Sequence, residues 1–276
     1  MSSGFLVRHE LTVFDERSDT PVSRVVRHEN RSIGSLWHER FPTRTDARDR
    51  NRYSCYDREV SPMNPEYGTY LVTQADRSAG RSTPEVVEAA IAGGVDAIQL
   101  REKDTTARER YDLGREMRER TAEAGIPLIV NNRVDLAAAI DADGVHLGDD
   151  DLPVSVAQEL LGVEALIGRS VSTVAGAREA EAAGADYLGV GAVFATRSKD
   201  VADEQAEIGV ETVREVVNAV SIPIVAIGGV STANAADAVA AGADGVAVIS
   251  AITAAEDPEK ATRELTGAVA EGRERR

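Results

Sequence analysis

The sequence lacks the features of a membrane protein or of a disulfide-stabilised fold. Cys55 is its single cysteine, so no internal disulfide can form. No apolar run approaches the ~18 to 20 residues that a membrane span requires, and the N-terminal stretch carries charges where a secretory signal would have to be apolar. We therefore expect neither a membrane-inserted nor a secreted protein, and the cytoplasm is the expected compartment.

Positive charge is also scarce. The 276 residues include 31 basic and 47 acidic side chains, for a net charge of −16, and the lysines are only Lys103, Lys199 and Lys260. A net charge of this sign repels nucleic-acid phosphates and anionic lipids. We therefore expect no nucleic-acid partner and no membrane partner. The excess of acids and of arginine over lysine leads to the hypothesis that the protein is adapted to high salt.

The composition changes near residue 62. Residues 1–62 hold 11 arginines, no lysine and 10 acidic residues, together with the only tryptophan, Trp37. They show little apolar periodicity, so they cannot bury enough surface to offset the entropy of ordering. We interpret residues 1–62 as a disordered, arginine-rich extension, or as translated upstream sequence with the true start at Met63. An accessory arm is the functional alternative.

From residue 67 onward, short runs rich in valine and isoleucine alternate with alanine-rich amphipathic stretches. This alternation is typical of βα units on a parallel sheet. Eight strands in the remaining chain fit one closed (β/α)8 barrel over residues 63–276 better than an open doubly wound sheet. The predicted strands are 67–73, 96–100, 127–130, 144–147, 165–168, 186–190, 223–227 and 245–249.

Polar side chains follow the second predicted strand, where the chemistry of such a barrel gathers. Gln99, Arg101 and Lys103 share one face if the chain stays extended, because side chains alternate with a period of two. They form a convergent set of donors of which two are cationic. The spacing fits an anion-binding clamp, and a solvated charged loop is the alternative.

The fourth predicted strand contains His146 and is followed by three consecutive acids, Asp149 to Asp151. Such acids repel one another unless a cation neutralises them. Oxygen ligands favour Mg²⁺ over zinc, because no cysteine or paired histidine accompanies this acidic run. The alternative is that the acids cap the helix after Pro153. For His146 the alternatives are a hydrogen-bonded core residue and a catalytic base.

The last three predicted strands end in groups suited to phosphate. Thr196, Arg197, Ser198 and Lys199 offer two hydroxyls and two cations after the sixth strand. The Gly228–Gly229 turn and Ser250 follow the seventh and eighth strands, where (β/α)8 barrels often bind phosphate through backbone N–H groups. The charged and polar residues at the strand ends imply that two anionic groups bind in one barrel mouth. They also imply catalysis by positioning and electrostatics rather than by a covalent intermediate.

Seven motifs, in order along the chain, identify a family. Residues from about 67 to 270 resemble thiamine phosphate synthase. The resemblance implies the joining of hydroxymethylpyrimidine diphosphate to methylthiazole ethyl phosphate, with release of pyrophosphate by a dissociative, Mg²⁺-assisted mechanism. The motifs are YLVT (70–73), QLREK (99–103), VNNRVDLA (130–137), ADGVHLGDDD (142–151), GADYLGVGAVFATRSK (184–199), AIGGV (226–230) and GVAVISAI (245–252).

The resemblance also implies roles for individual residues. The catalytic residues would be Arg101, Lys103, Ser170 and Lys199. The pyrimidine diphosphate would be bound by Gln99, Leu100, Arg101, Glu102, Lys103, Asn131, Ser170 and Lys199, and the thiazole phosphate by Thr196, Arg197, Ser198, Gly229, Ile249 and Ser250. Asn132 and Asp151 would hold the metal. Asn132 departs from the family pattern, which has aspartate there, so Asp149 or Asp150 is a substitute ligand.

Two other functions are compatible with such a barrel. A thiazole tautomerase shares the thiazole phosphate site but needs a proton-transferring base, typically a histidine after the fifth strand, where this sequence has Ser172. The complete QLREK motif favours the synthase. The second alternative is a non-catalytic sensor of phosphorylated ligands. In each case we expect small phosphorylated molecules as partners, and a homo-oligomer is compatible with the sequence.

Overall fold

The computed structural model describes residues 12–14, 21–23, 68–196 and 207–276. The chain divides into two units, Met1–Glu59 and Val60–Arg276. In the first unit, strands β1 (Thr12–Phe14) and β2 (Pro21–Ser23) form an antiparallel pair that the sequence analysis does not predict. The other residues of the segment 1–62, which is predicted to be disordered, lie outside the described residues, and so does the alternative start at Met63.

Eight parallel strands of the second unit close a barrel in sequence order, and the last strand pairs with the first. The predicted (β/α)8 barrel is therefore confirmed, and each predicted run overlaps one observed strand. The strands are β3 (Thr69–Val72), β4 (Ala97–Leu100), β5 (Leu128–Asn131), β6 (Gly144–Leu147), β7 (Leu166–Val171), β8 (Tyr187–Val190), β9 (Ile224–Ile227) and β10 (Gly245–Val248).

Helices connect successive strands, and the first two of them begin at side-chain caps. Ser82 and Thr106 each accept from a backbone N–H three residues on, while Glu85 and Glu109 bond back to them. No helix within the described ranges is long and apolar enough to cross a membrane. The helices are α1 (Thr83–Ala92), α2 (Ala107–Ala124), α3 (Val134–Ile140), α4 (Val154–Leu161), α5 (Val174–Ala182), α6 (Gly209–Val217), α7 (Ala235–Ala240), α8 (Ser250–Thr253) and α9 (Pro258–Glu274), with a 3₁₀ turn at Ala75–Arg77.

The two faces of each strand bury different sets of side chains. One set, which includes Leu71, Ile98 and Val130, belongs to the large core cluster shared with the helices. The alternate set fills the barrel interior and includes Tyr70, Tyr187, Ile129, Val225 and Ala247. Because side chains on a strand alternate, the polar residues with the second parity also point into the barrel.

A repeated aspartate joins neighbouring strands at the N-terminal end of the barrel. Each such residue precedes one strand and accepts a hydrogen bond from the backbone at the start of the strand before it. These carboxylates tie the strands in pairs at the end remote from the predicted site. The bonds are Thr69 N to Asp96 (2.7 Å), Leu128 N to Asp143 (2.8 Å), Ile167 N to Asp186 (2.7 Å) and Ile224 N to Asp244 (2.8 Å).

Candidate active site

Cavities with shared lining residues open at the C-terminal ends of the strands. The first, the Gly-Gly pocket, has a volume of about 430 Å³ and lies over β9 and β10 around Gly228 and Gly229. The second, the barrel slot, is a narrow space of about 50 Å³ among the interior side chains. The third, the charged pocket, has about 330 Å³ and is lined by Arg101, Lys103, Asp149 and Asp150.

Shared walls make these cavities continuous. Ile227, Ala247 and Ile249 line both the Gly-Gly pocket and the barrel slot. Arg101 and Ser170 line both the barrel slot and the charged pocket. The rim therefore joins a pocket walled by glycine and hydroxyl groups to a cationic pocket through a slot in the barrel.

Arg101 is buried at the junction of the slot and the charged pocket. Its side chain is only 7% exposed, and its Nη1 donates to Gln74 Oε1 at 2.8 Å. Its backbone N–H donates to Thr73 Oγ1 at 3.1 Å. The Gln74 amide orients the guanidinium at this junction, and a guanidinium can donate a planar pair of hydrogen bonds to an anion. The side chain is thus suited to attract an anion at this point.

Arg110 of α2 holds the loop that carries Lys103. Its guanidinium donates to the carbonyls of Glu102 (2.6 Å), Lys103 (3.0 Å) and Thr105 (3.0 Å). The exposed Lys103 side chain lines the charged pocket beside Arg101. No sequence pattern marks Arg110 for this role, because it lies seven residues after Lys103 among the other charged side chains of α2.

Two members of the QLREK motif turn their side chains away from the cavities. The Leu100 side chain is buried in the core cluster. The Glu102 carboxylate accepts from Ala75 N at 2.9 Å and from Thr83 Oγ1 at 2.8 Å, which attaches it to the loop before α1. Neither residue lines the Gly-Gly pocket, the barrel slot or the charged pocket, although both line a neighbouring cavity of about 240 Å³ beside Asn132.

The acidic run after β6 does not cap the following helix. The N-cap of α4 is Pro153 without a side-chain bond, so the capping interpretation is wrong. Asp151 instead accepts from Gly148 N at 2.6 Å, which folds the loop back on itself. Burial raises the pKa of the Asp151 carboxyl above its ordinary value. The bond from Gly148 N and the charges of Arg169 and Lys103 lower the pKa, but they offset only part of this rise.

The neighbouring acids differ in their availability. Asp149 pairs with Arg169 at 2.7 Å, so one of its oxygens is already engaged. Asp150 is exposed and lines the charged pocket. Of the two residues predicted as substitute ligands, Asp150 is thus the better placed.

Asn132 lines the charged pocket in a left-handed backbone conformation. Its φ is +64°, and its backbone N–H donates to His146 O at 2.9 Å. Asparagine adopts this conformation more readily than most residues. The conformation gives a physical reason for asparagine at this position and leaves the amide oxygen as a candidate ligand.

A chain of five hydrogen-bonded side chains crosses the floor of the barrel slot. Gln99 Nε2 donates to the Tyr70 hydroxyl at 3.1 Å, and this hydroxyl lies 3.1 Å from that of Tyr187. The Tyr187 hydroxyl lies 3.0 Å from His146 Nδ1, and His146 Nε2 lies 2.9 Å from Ser170 Oγ. We call this set the polar chain. Burial raises the pKa of Tyr70 to about 12, so its phenol is neutral at ordinary pH.

The positions of the atoms leave the donor open in the tyrosine pair and in both histidine bonds, and the following arrangement of protons satisfies every bond of the polar chain. With the Gln99 amide in the observed orientation, Tyr70 keeps its proton for Tyr187, and Tyr187 keeps its proton for Nδ1 of His146. The imidazole then carries its proton on Nε2 and donates it to Ser170 Oγ. The hydroxyl proton of Ser170 is thereby left for an acceptor in the slot.

Small residues make room for the polar chain. A Cβ on Gly168 would lie 2.5 Å from His146 Nδ1 and would also collide with the Tyr187 ring. His146 is therefore a hydrogen-bonded interior residue, as one of the two interpretations held, and it also lines the slot and the charged pocket. The sequence analysis missed Tyr70 and Tyr187, although both share the inward strand parity of Gln99 and His146.

The Gly-Gly turn can be built only from glycine. Gly228 and Gly229 have φ values of +93° and +66°, and a Cβ on Gly229 would lie 2.6 Å from Phe194 O. Asn234 braces the turn, since its Oδ1 accepts from Ser231 N at 2.8 Å and its Nδ2 donates to Gly229 O at 3.0 Å. Thr196, Ile249 and Ser250 line the same pocket, as predicted for the thiazole phosphate site.

The structure brings most of the predicted site residues to one rim. The Gly-Gly pocket holds Thr196, Gly229, Ile249 and Ser250, and the slot and charged pocket hold Gln99, Arg101, Lys103, Asn131, Asn132 and Ser170. Arg197, Ser198 and Lys199 lie outside the described residues.

The family follows from a comparison with known proteins. The family model described as thiamine monophosphate synthase matches residues 69–252. The chain belongs to the thiamine monophosphate synthase family. The match covers the barrel from its first strand to α8, and it confirms the family predicted from the seven motifs.

Curated relatives carry the same name. The chain is 66% identical over 207 residues to the thiamine-phosphate synthase of Natronomonas pharaonis, covering 75% of this chain and 97% of that protein. It is 63% identical to that of Haloquadratum walsbyi, covering 75% and 93%, and 51% identical to that of Moorella thermoacetica, covering 76% and 99%. The predicted transferase of thiamine biosynthesis is thus confirmed.

Solved structures agree with the fold. The barrel matches thiamine phosphate pyrophosphorylase from Pyrococcus furiosus with a TM-score of 0.69 and 42% identity, covering 76% of this chain and 98% of that one. A 3-hexulose-6-phosphate synthase matches with a TM-score of 0.54 at 17% identity, covering 73% and 99%, which shows the fold alone. Membership of the thiamine monophosphate synthase family therefore accompanies a closely similar barrel.

Proposed function

We propose that this chain joins 4-amino-2-methyl-5-hydroxymethylpyrimidine diphosphate to 4-methyl-5-(2-phosphooxyethyl)thiazole, giving thiamine phosphate and pyrophosphate. The observation that carries this proposal is the continuity of the cavities at one rim. The Gly-Gly pocket and the charged pocket both open into the barrel slot. Two phosphorylated reactants can therefore lie side by side with their reacting atoms between them, which removes much of the entropic barrier to their union.

The charged pocket would bind the diphosphate of the pyrimidine substrate. Arg101 and Lys103 supply positive charge there, and Asn131 adds an amide. When the bond between the pyrimidine methylene and the diphosphate oxygen breaks, the electron pair leaves with the oxygen. Fixed cations stabilise this growing negative charge more than they stabilise the bound substrate. Lys199, which we propose for the same role, lies outside the described residues.

The charged pocket also fits a magnesium ion. Asn132 and Asp150 line this pocket and Asp151 follows in the same loop, and each can offer an oxygen ligand, which Mg²⁺ prefers. Among the described residues no cluster of three or more His, Cys, Asp or Glu side chains could hold a metal by itself. Mg²⁺ commonly uses one or two carboxylates together with substrate phosphates, so substrate oxygens would complete its shell. When bound, the ion would neutralise charge on the diphosphate.

The barrel slot would hold the aminopyrimidine ring. Loss of the diphosphate leaves a cation delocalised over the ring, which the thiazole nitrogen then attacks at the methylene carbon. The polar chain presents the Ser170 hydroxyl and the Gln99 amide to this space. Both groups are neutral, so they orient the ring without adding a nucleophile that would capture the cation as strongly as a carboxylate or thiolate would.

The Gly-Gly pocket would bind the phosphate of the thiazole. Gly229 and Ser250 lie on its walls, and Thr196 adds a hydroxyl beside Ile249. We propose that Arg197 and Ser198, outside the described residues, take part in the same binding. The thiazole ring would then extend toward Ile227 and Ala247, where the pocket meets the slot.

The location and assembly of the enzyme are further proposals. We propose that it acts in the cytoplasm on small phosphorylated molecules and that it forms a homo-oligomer. Support for assembly comes from Leu152, Leu160 and Val163, large apolar side chains in or beside α4 that are 46%, 60% and 91% exposed. Exposed apolar groups close together on a surface often mark a contact between proteins.

The assay that tests the proposed function supplies the purified protein with both substrates and Mg²⁺. We expect pyrophosphate and thiamine phosphate to form in equal amounts, and chelation of the metal to stop both. Isomerisation of the thiazole without pyrophosphate release would identify a tautomerase. Binding of both substrates without turnover would identify a sensor, and either outcome would contradict the proposal.

A further inference from the structure

One charged side chain lines the Gly-Gly pocket among the described residues, and neither the motifs nor the resemblance pointed to it. Arg77 ends the 3₁₀ turn Ala75–Arg77 that follows β3. The strand β3 pairs with β10, so Arg77 reaches the pocket from the side opposite the Gly-Gly turn of β9. The other described residues on the pocket wall are apolar, glycine, serine or threonine.

The guanidinium of Arg77 has an unsatisfied donor. Its Nε is buried and has no hydrogen-bond partner. A buried N–H that has lost water without gaining an acceptor is destabilising. This Nε lies out of a ligand's reach, but Arg77 lines the Gly-Gly pocket, so an anion that fills the pocket would lie beside its positive charge.

The backbone of Arg77 is hydrogen-bonded to α8, the helix that begins at the predicted phosphate-binding residue Ser250. Its carbonyl accepts from Thr253 Oγ1 at 2.7 Å, and its N–H donates to Gln74 O at 3.0 Å. Thr253 is fully buried and ends α8, the short helix that begins at Ser250. Arg77 therefore keeps its position relative to Ser250 across the pocket.

We propose that Arg77 is a specificity-determining residue that binds the phosphate of the thiazole substrate. This inference rests on the proposed function. Backbone N–H groups and hydroxyls can hydrogen-bond a phosphate, but a guanidinium adds full charge and a planar pair of donors. Arg77 would thus select the phosphorylated thiazole over the corresponding alcohol and over any neutral analogue.

A cation in the Gly-Gly pocket also offsets, at that point, the negative charge of the whole protein. The chain carries a net charge of −16, which repels both substrates at long range. The diphosphate meets Arg101 and Lys103 in the charged pocket. Arg77 gives the Gly-Gly pocket a positive group of its own from within the described part of the chain.

The chain provides a matched control four residues further along. The Arg81 side chain also has a buried nitrogen without a partner, Nη1, but its Nη2 donates to Glu256 O at 2.6 Å. Arg81 does not line the Gly-Gly pocket. Arg77→Gln and Arg81→Gln therefore remove the same charge from the same loop, and only the first removes it from the pocket.

The test is steady-state kinetics of the full chain with each substrate varied in turn. For Arg77→Gln we expect the KM for the thiazole phosphate to rise about 10- to 100-fold, the range for a lost charge-assisted hydrogen bond, with the KM for the pyrimidine diphosphate within about twofold of the wild type. Arg77→Lys should recover part of the loss. Arg81→Gln should change neither KM. Equal rises in both KM values for Arg77→Gln, or none, would overturn the proposal.

A binding measurement separates this inference from the proposed function. Inorganic phosphate is titrated calorimetrically into the wild type and into both variants, whose melting temperatures are compared first. We expect the wild type and Arg81→Gln to bind phosphate alike and Arg77→Gln to bind about tenfold or more weakly. Equal phosphate affinity in all three would overturn the role of Arg77, even in a fully active enzyme. A wild type without synthase activity that still loses phosphate binding on Arg77→Gln would contradict only the proposed function.

Discussion

Replacing Lys103 with alanine is expected to lower kcat by about 10²- to 10³-fold, the usual cost of removing one group that stabilises transition-state charge. The lysine lines the charged pocket beside Arg101, where negative charge grows on the departing diphosphate. Its side chain is exposed, so its removal leaves no cavity in the core. The KM for the thiazole phosphate should stay within about twofold, because that substrate binds at the other end of the rim.

The scarcity of lysine provides the control for this prediction. Lys260 on α9 is exposed and lies 3.7 Å from Glu264, in a surface pair of the kind that contributes little. Lys260→Ala should leave kcat unchanged. We expect Lys199→Ala to resemble Lys103→Ala. Equal effects of Lys103→Ala and Lys260→Ala would show that the diphosphate does not bind in the charged pocket.

Tyr187→Phe should have the next largest effect, because it breaks the polar chain at its centre. The hydroxyl that it removes lies between the Tyr70 hydroxyl and His146 Nδ1. His146 is then free to carry its proton on Nδ1 and to accept from Ser170, which turns the Ser170 hydroxyl away from the slot. We expect kcat to fall about 10- to 100-fold, or ~1.4 to 2.7 kcal/mol in activation free energy, with KM for the thiazole phosphate unchanged.

If Tyr187→Phe only lowered the stability of the protein, the His146 tautomer and kcat would stay as in the wild type. Tyr187→Phe leaves buried polar groups unpaired, so the free energy of unfolding should fall by about 1 to 3 kcal/mol. Nitrogen NMR of His146 distinguishes the two effects, since it reports which ring nitrogen carries the proton, and we expect the proton to move from Nε2 to Nδ1. Tyr111→Phe is the control, because Tyr111 on α2 packs against the large core cluster and is not part of the polar chain. Reduced stability with the wild-type tautomer and kcat would contradict a positioning role.

The barrel could be predicted because its physical determinants are local. Runs such as Ile224–Ile227 and Gly245–Val248 are short, apolar and rich in β-branched residues, and glycine or aspartate marks their boundaries. The hydrogen bonds from the aspartates to the preceding strands could not be predicted in this way, because the partner of a carboxylate such as Asp186 depends on how distant segments meet.

The candidate site could be predicted only where its residues lie close together in the sequence. Gln99, Arg101 and Lys103 are recognisable because they are adjacent and carry charge. Tyr70 and Tyr187 are 117 residues apart and become a pair only when the barrel closes. Arg77 is bonded to Thr253 of α8, far along the chain, so no pattern in its own segment shows what it does.

The most direct test of the account is a crystal structure with Mg²⁺, pyrophosphate and thiamine phosphate bound. We expect pyrophosphate against Arg101 and Lys103, the aminopyrimidine within hydrogen-bonding distance of Ser170, and the thiazole phosphate between Gly229 and Arg77. Ligands bound at the opposite end of the barrel, near Asp96 and Asp186, or a phosphate remote from the Gly-Gly turn, would contradict it.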